Sequence, residues 1–176
     1  FKYSITDGLL KTALAMKDAN KNYDAAHKVW VKGMMDMRQA AGTPIYPDAN
    51  STLRLTYGQV LPYEPADGTV YNYYTTLKGV MQKEDPDNWE FVVPQKLKQL
   101  YHAKDFGHYA MENGEMPICF VTNTDNTGGN SGSPVFNAKG ELIGTGFDRN
   151  WEGLTGDIAF QTTLQRAACV DIRYTL

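Results

Sequence analysis

The 176-residue sequence has little of several features, and each scarcity argues against a class of protein. Basic residues are not in excess, because 17 Lys and Arg stand against 20 Asp and Glu, for a formal net charge of −3. Binding to nucleic acid depends on basic surface opposite phosphate, so no nucleic-acid partner is expected. No apolar run approaches the roughly 20 residues that span a bilayer, which argues against membrane insertion.

Cysteine is also scarce, with only Cys119 and Cys169 in the chain. The two lie in separate apolar stretches, without C-x-x-C spacing and without neighbouring histidines, which argues against a zinc site. We therefore expect no metal and no cofactor. A disulfide between the two and a pair of buried free thiols both remain open.

The chain also lacks a start methionine and a signal-peptide pattern, and it begins at Phe1 within what reads as ordered structure. We expect it to be a processed product or an excised piece of a longer polypeptide. No internal repeat or low-complexity segment is present.

The first part of the chain has a helical pattern. Apolar residues recur every three to four positions from Ile5 to about Ala41, where they form a Met-rich face. Such a face suits an adaptable binding groove, but it is more typical of core between paired helices. The prolines and glycine of Gly42–Pro47 end the pattern, and we place a domain boundary there.

The rest of the chain reads mostly as strands with turns between them. The pattern also predicts two short inserted helices, at Tyr73–Lys83 and Pro94–Ala103. The predicted strands are Ser51–Val60, Pro117–Thr122, a hairpin of Ser133–Phe136 and Glu141–Phe147 around the turn Asn137–Gly140, Gly156–Thr162, and Ala167–Tyr174. Serial short strands indicate a sandwich or barrel, and the fold class is α+β.

The most informative stretch is Thr127-Gly-Gly-Asn-Ser-Gly-Ser-Pro134. A serine hydroxyl needs a base to take its proton and donors to hold the oxyanion formed on attack. The glycines allow a tight turn in which the N–H groups of Gly129 and Ser131 point at one spot beside the Ser131 hydroxyl. A glycine-rich surface loop is the alternative, but the pattern favours a nucleophile loop with Ser131 as the nucleophile.

A base for Ser131 is not evident. The chain has three histidines, His27, His102 and His108, and each is more typical of a surface or structural group. Trypsin-like proteins carry the histidine and aspartate on a first barrel, and no such barrel precedes residue 131. The triad is therefore incomplete in these residues, which is a further sign of an excised piece.

A second informative segment, Thr145–Glu152, follows the hairpin. In a trypsin-like barrel this strand forms a wall of the specificity pocket, where Gly146 lets a peptide backbone approach closely. Asp148 and Arg149 are adjacent at its end, so their side chains diverge. A solvated strand end is the alternative, but beside a nucleophile loop the pair suits a peptide's amino terminus and an acidic side chain, respectively.

These segments together resemble the carboxyl-terminal part of the bacterial dipeptidyl-peptidase 7/11 family, from about residue 26 onward and most strongly from 118 to 174. The resemblance rests on Tyr46–Tyr57, Gly129–Phe136, Gly140–Gly144, Phe147–Glu152, Gly156-Asp157 and Val170–Tyr174. It implies a double β-barrel similar to that of chymotrypsin, with a helical domain inserted between the barrels. Residues 1–45 would then be the end of the helical cap domain, and residues 46–176 the second barrel.

Carried over residue by residue, the resemblance implies that Ser131 is the nucleophile and Gly129 an oxyanion-hole donor. Asp148 would hold the amino terminus of the substrate, so that dipeptides are released. Arg149 would mark the branch specific for Asp or Glu before the cleaved bond, since members that prefer hydrophobic residues have glycine there.

The resemblance further implies a peptide substrate, a catalytic His and Asp on a missing amino-terminal barrel, a homodimer in the intact protein, and a location in the periplasm or at the cell surface of a Gram-negative bacterium. We expect these 176 residues to be inactive alone. Two alternatives stay open, a glutamate-specific trypsin-like endopeptidase and a non-catalytic barrel that binds peptides.

Overall fold

The computed structural model describes residues 2–43, 51–156 and 159–176. Two compact units divide the chain, Phe1–Arg54 and Leu55–Leu176. The boundary prolines Pro44 and Pro47, and Asp157 of a predicted strand, lie outside the described residues.

The described residues form helices and strands with the following bounds. The helices are α1 (Lys2–Ala15), α2 (Lys17–Ala40), α3 (Leu77–Gln82), α4 (Gln95–Ala103) and α5 (Ile172–Thr175). The strands are β1 (Tyr63–Ala66), β2 (Thr69–Tyr71), β3 (Tyr74–Thr76), β4 (Pro117–Thr122), β5 (Pro134–Phe136), β6 (Leu142–Arg149) and β7 (Ala167–Asp171).

The first unit is helical, as its periodicity predicts. Helices α1 and α2 follow each other almost without a break, because Met16 between them keeps right-handed helical dihedral angles. The Met16 N–H donates to Thr12 O at 3.0 Å, and the Asn20 N–H donates to Met16 O at 2.8 Å. Beyond α2 the chain leaves the helix at Gly42, whose φ of +65° favours glycine.

The expectation that the Met-rich face forms a core between paired helices is wrong for the residues described. Met37 is 67% exposed and Leu9 is 67% exposed, like most large apolar side chains of α1 and α2. The physical reason is that α2 prolongs α1, so neither helix covers the apolar face of the other in this unit.

The second unit is built on antiparallel sheets. One is the two-stranded ribbon β1–β2, and the other has five strands in the order β3-β4-β7-β6-β5. The predicted strand Pro117–Thr122 is confirmed as β4, and the predicted hairpin is confirmed as β5 and β6. The chain is therefore a mixed helix-and-sheet protein with antiparallel sheets.

The five-stranded sheet buries one face around β4 and β7. Phe120 lies opposite Cys169, and both side chains are buried. Cys119 lies opposite Val170, so its side chain points to the other face of the sheet. This register keeps the two sulfurs apart, and both thiols are free. Burial raises the pKa of Cys169 to about 11.

Two predicted elements in the middle of the chain are partly wrong. Ser51–Val60 is not a strand: only Val60 pairs, as a bridge to Thr122, and Leu53 and Leu55 are exposed. The predicted helix Tyr73–Lys83 begins instead as strand β3, which pairs with β4, and becomes helical at Leu77. Pairing with β4 overrides the local helix propensity of Tyr74–Thr76, whereas Ser51–Gln59 has no partner strand among the described residues. The predicted helix Pro94–Ala103 is confirmed as α4.

The last two predicted strands also need correction. Gly156 lies in a turn, and residues 159–162 form no ladder, so the described part of Gly156–Thr162 is not a strand. The strand that starts at Ala167 ends at Asp171, not at Tyr174. The Asp171 carboxylate accepts a hydrogen bond from the Arg173 N–H at 3.0 Å and caps α5, which turns the chain out of the sheet.

Candidate functional site

The loop around Ser131 is a pair of linked turns. The Asn130 N–H donates to Thr127 O at 3.2 Å, and the Ser133 N–H donates to Asn130 O at 3.0 Å. Gly129 has a φ of +97° and Gly132 a φ of +88°, a region that side-chain-bearing residues rarely adopt. The glycines on either side of Ser131 are therefore needed for this backbone path. Ser131 itself is exposed.

Backbone hydrogen bonds hold this loop against strand β6. The Gly132 N–H donates to Gly146 O at 2.8 Å, and the Gly146 N–H donates to Ser133 O at 2.9 Å. The Ser131 hydroxyl donates to Phe147 O at 3.1 Å. The hairpin thus places Ser131 beside Phe147, immediately before the two charged residues that end β6.

A β-bulge at Phe147 alters the register of β6 at this point. Gly146 lies opposite Cys169, and the next paired residue, Asp148, lies opposite Ala168. The extra residue breaks the regular alternation of side chains and re-aims those that follow. Asp148 is exposed, whereas Arg149 is half-buried, so the two side chains diverge.

Arg149 borders a small cavity of about 10 Å³, enough for roughly one water molecule. Its side chain runs past Gly153 and Gly156: a Cβ added to Gly153 would lie 3.3 Å from Arg149 Cδ, and one added to Gly156 would lie 3.3 Å from Arg149 Nη1. The residues that line the cavity are Thr124, Asn126, Arg149, Gly153, Phe160, Gln165, Arg166 and Ala167.

Two residues that line this cavity were not identified from the sequence. Arg166 is 4% exposed and donates all five of its side-chain N–H groups to backbone carbonyls. Gln165 is 3% exposed and donates through Nε2 to Ala159 O at 3.1 Å. No local pattern marks either residue, because their partners are set by the tertiary fold.

Asn150 joins the end of β6 to the loop that carries these two residues. Its backbone N–H donates to Arg166 O at 2.9 Å, and its Oδ1 accepts from the Arg166 N–H at 2.8 Å. Its Nδ2 donates to Leu164 O and to a Glu152 carboxylate oxygen, both at 2.8 Å. Asn150 therefore fixes the backbone directly after Arg149.

Each histidine ring contacts aromatic side chains of its own segment. His27 stacks on Tyr23 and Trp30, with ring centroids 5.6 and 5.9 Å apart. His102 contacts the ring of Tyr101 at 5.5 Å, and His108 contacts the ring of Tyr109 at 4.1 Å. The Ser131 proton is directed at the Phe147 carbonyl, so the described residues do not assemble a Ser–His pair.

The described residues contain no cluster of three or more His, Cys, Asp or Glu side chains that could hold a metal ion. No helix among them has the length and apolar character required to cross a bilayer.

Comparison with known proteins places the chain. Over 175 residues it is 58% identical to dipeptidyl-peptidase 7 of Phocaeicola vulgatus, a match that covers 99% of this chain and 24% of that protein. Over 151 residues it is 56% identical to the Asp/Glu-specific dipeptidyl-peptidase of Porphyromonas gingivalis, covering 86% and 21%, respectively. The chain thus spans about a quarter of the length of these relatives.

Solved structures agree with the sequence comparison. The chain superposes on the crystal structure of Porphyromonas endodontalis DPP11 in complex with the dipeptide Arg-Glu with a TM-score of 0.78 and 53% identity, over 86% of this chain and 21% of that one. The family model for peptidase S46 matches residues 1–176. The chain therefore belongs to the peptidase S46 family.

Proposed function

We propose that these residues carry the nucleophile and the specificity elements of a serine exopeptidase. The enzyme releases dipeptides from the amino terminus of a peptide and prefers Asp or Glu before the cleaved bond. One observation carries the proposal: the Ser131 hydroxyl lies 3.1 Å from Phe147 O, next to the strand end that bears Asp148 and Arg149. A nucleophile and two charged recognition groups thus share one edge of the sheet.

In the proposed reaction, Ser131 Oγ attacks the carbonyl carbon of the scissile bond while a base takes its proton. The N–H groups of Gly129 and Ser131 stabilise the oxyanion that forms. Neither N–H donates to another group in the part of the chain that the structure describes, which leaves both for this role. The hydroxyl proton must first turn away from Phe147 O, for example by rotation about the Ser131 Cβ–Oγ bond, before a base can take it.

The two recognition groups have distinct places. Asp148 follows Phe147 directly, and its exposed carboxylate forms an ion pair with the positive amino terminus of the peptide. An anchor so near the nucleophile favours substrates with only two residues before the cleaved bond. Arg149 follows at the end of β6 and is half-buried, and the fork of N–H donors on its guanidinium suits the carboxylate of Asp or Glu.

Overall similarity does not select between the two specificities, because the chain is 58% identical to a dipeptidyl-peptidase 7 and 56% identical to an Asp/Glu-specific relative. Arg149 supports the acidic specificity. The family resemblance implies arginine at this position in the acid-specific branch, and a guanidinium pairs with the carboxylate of Asp or Glu but not with a hydrophobic side chain. The solved relative in complex with Arg-Glu accords with an acidic second residue.

We further propose that residues 1–45 end a helical cap domain and residues 46–176 form the second barrel of a chymotrypsin-like pair. The first barrel of the same polypeptide then supplies the catalytic His and Asp. The family resemblance supports a homodimer and a periplasmic or cell-surface location. The chain covers about a quarter of the length of its relatives, so the relatives are long enough to include a first barrel and a whole cap domain.

The test uses the full-length protein and fluorogenic dipeptidyl substrates that end in Asp, Glu or Leu. We expect Asp and Glu to be preferred, and Arg149→Gly to lower kcat/KM for them by about 100-fold without a matching loss for Leu. Arg149→Lys is the matched control: it keeps the charge but loses the fork, so a smaller loss is expected. Preference of the wild type for Leu would refute the acidic specificity.

Three more measurements separate the rival functions. Ser131→Ala should lower turnover by about 10⁴-fold or more, and full turnover in this variant would refute the mechanism. Acetylation of the substrate amino terminus should block cleavage, whereas a glutamate-specific endopeptidase would cleave acetylated peptides. A fluorophosphonate probe should label Ser131, and lack of labelling would favour a peptide-binding barrel without catalysis.

A further inference from the structure

The side chain of Asn150 bridges the end of β6 to the segment that leads into β7. Its Oδ1 accepts from the Arg166 N–H at 2.8 Å, while the Asn150 N–H donates to Arg166 O at 2.9 Å. Its Nδ2 donates to Leu164 O and to a Glu152 carboxylate oxygen, both at 2.8 Å. One amide group therefore joins partners that lie 2, 14 and 16 positions further along the chain.

These hydrogen bonds act where the ladder between β6 and β7 ends. Beyond the bulge at Phe147, β6 pairs with β7 through Asp148, opposite Ala168, and Arg149, opposite Ala167. A strand end with so short a ladder opens easily unless other contacts hold it. Asn150 supplies such contacts at the next position, through bonds from a side chain to the backbone.

The segment to which Asn150 binds is buried. Gln165, Arg166 and Ala167 are all almost inaccessible to solvent, and the Arg166 guanidinium donates to backbone carbonyls around it. Asn150 thus ties the end of β6 to the interior of this unit. Its own position is fixed by the packing of that interior.

The turn that Asn150 begins closes on the side chain of Arg149. The buried Gly153 donates its N–H to Asn150 O at 2.9 Å. A Cβ added to Gly153 would lie 3.0 Å from Asn150 Oδ1, 3.3 Å from Arg149 Cδ and 3.4 Å from Arg149 Cβ. The aliphatic stem of Arg149 therefore packs along this turn, and the position of the turn determines where the guanidinium lies.

We propose that Asn150 is a positioning residue for acidic specificity. It holds the turn on which Arg149 packs, so that the guanidinium stays in place to meet the carboxylate of a substrate Asp or Glu. A two-pronged bond between guanidinium and carboxylate depends on accurate placement, and a displaced stem weakens it. The proposal rests on the function proposed for Arg149.

The loop around Ser131 is held in a different way. It bonds to Gly146 and Phe147 of β6, and none of these bonds involves Asn150. Loss of the Asn150 amide should therefore alter the recognition of an acidic side chain more than the attack by Ser131. A substrate with Leu before the cleaved bond makes no ion pair with Arg149 and reports on the attack alone.

The test is a double-mutant cycle between Asn150 and Arg149 in the full-length protein, with kcat and KM measured on substrates ending in Asp, Glu and Leu. Asn150→Ala removes both polar amide atoms without adding a charge. We expect it to lower kcat/KM for Asp and Glu by about tenfold, chiefly through KM, and to change kcat/KM for Leu by less than about twofold. In the Arg149→Gly background the same substitution should have no selective effect on Asp and Glu.

Asn137→Ala is the matched control. In the hairpin turn, Asn137 Oδ1 accepts from the N–H groups of Lys139 and Glu141, and its Nδ2 donates to the Glu141 carboxylate. The substitution therefore removes bonds of the same kinds, but at the opposite end of β6 from Arg149. It should leave the ratio of kcat/KM for Asp and Glu to that for Leu unchanged.

The outcomes are separable. An equal loss on all three substrates, or an equal loss with and without Arg149, would mean that Asn150 only supports the fold and would overturn the inference. If Arg149→Gly alone leaves the acidic preference intact, the function proposed for Arg149 fails instead, and the inference with it.

Gly153→Ala covers the case in which Asn150→Ala does not fold. Its methyl group presses on the stem of Arg149 from the turn, so we expect kcat/KM for Asp and Glu to fall by about threefold without a matching loss for Leu. Gly79→Ala is its control, because nothing lies within 4 Å of the added Cβ. A Gly153→Ala variant that keeps the wild-type preference for acidic substrates would overturn the inference.

Discussion

At the scale of single residues, Arg166 shows how a charge can be buried without a carboxylate partner among the described residues. Its five N–H groups reach five carbonyl oxygens at 2.7 to 3.3 Å, so every donor is satisfied. The guanidinium also lies over the ring of Tyr63, 5.6 Å from its centroid. Burial lowers the pKa of Arg166, but arginine starts from so high a value that the group stays charged.

We predict that Arg166→Met lowers the free energy of unfolding of the 176-residue chain by about 3 kcal/mol, because it removes the donors from five carbonyls that are partly or fully buried beneath this side chain. Arg166→Lys should lower it less, since an ammonium keeps three donors. Urea unfolding followed by circular dichroism measures both changes. Lys139→Ala, in the exposed hairpin turn, is the control and should change stability by no more than about 0.5 kcal/mol. An Arg166→Met variant as stable as this control would show that the hydrogen bonds contribute little.

At the scale of elements, strand β6 links the core to the site. The strand is buried at Gly144 and Gly146, and the absence of a side chain at Gly144 lets the Phe120 ring approach the backbone. Its second half, after the bulge at Phe147, carries the two charged residues toward the surface and the cavity. The packing of β6 in the core therefore determines where Asp148 and Arg149 lie.

Gly144→Ala should destabilise the chain by about 2 kcal/mol. The added Cβ would meet Phe120 ring carbons at 2.7 and 2.9 Å, and it would also press on the Val170 carbonyl, which is backbone and cannot turn away. Thermal and urea unfolding measure the change. Gly79→Ala in α3 is the matched control, because nothing lies within 4 Å of its added Cβ and alanine favours a helix. Equal stability of the two variants would contradict the packing described at Phe120.

At the scale of the whole molecule, the described residues include the proposed nucleophile and the proposed recognition residues, but no histidine that accepts the Ser131 proton. Ser131 donates to a backbone carbonyl, and each histidine ring contacts aromatic side chains of its own segment. Acid–base chemistry must therefore come from another part of the polypeptide if the proposed function holds.

We predict that the 176-residue chain alone turns over dipeptidyl substrates at no more than a trace of the full-length rate, because the oxyanion hole and binding act without a base. Release of the fluorophore under the same conditions measures both proteins. Substantial turnover by the short chain that is lost in His102→Ala or His108→Ala would show that one of these histidines serves as the base after all.

The sequence predicted the features whose signals lie in adjacent residues. The hairpin follows from its turn residues, helix α4 from its periodicity and leading proline, and the loop around Ser131 from its glycines. The sequence pattern of β3 is helical, but pairing with β4 makes it a strand; Ser51–Gln59 has a strand pattern but no partner strand among the described residues. No pattern in the neighbouring residues predicts that Gln165 and Arg166 line the cavity.

The sequence alone therefore determined which functional groups are present: a serine hydroxyl between glycines, and an acidic and a basic side chain on adjacent residues. The tertiary structure decided how these groups meet, through the pairing of the loop with β6 and the bulge at Phe147. The Arg166 guanidinium reaches Leu61 and Pro62, 105 and 104 positions earlier in the chain. Such contacts depend on which distant strands pair and in which register, and neighbouring residues do not encode that choice.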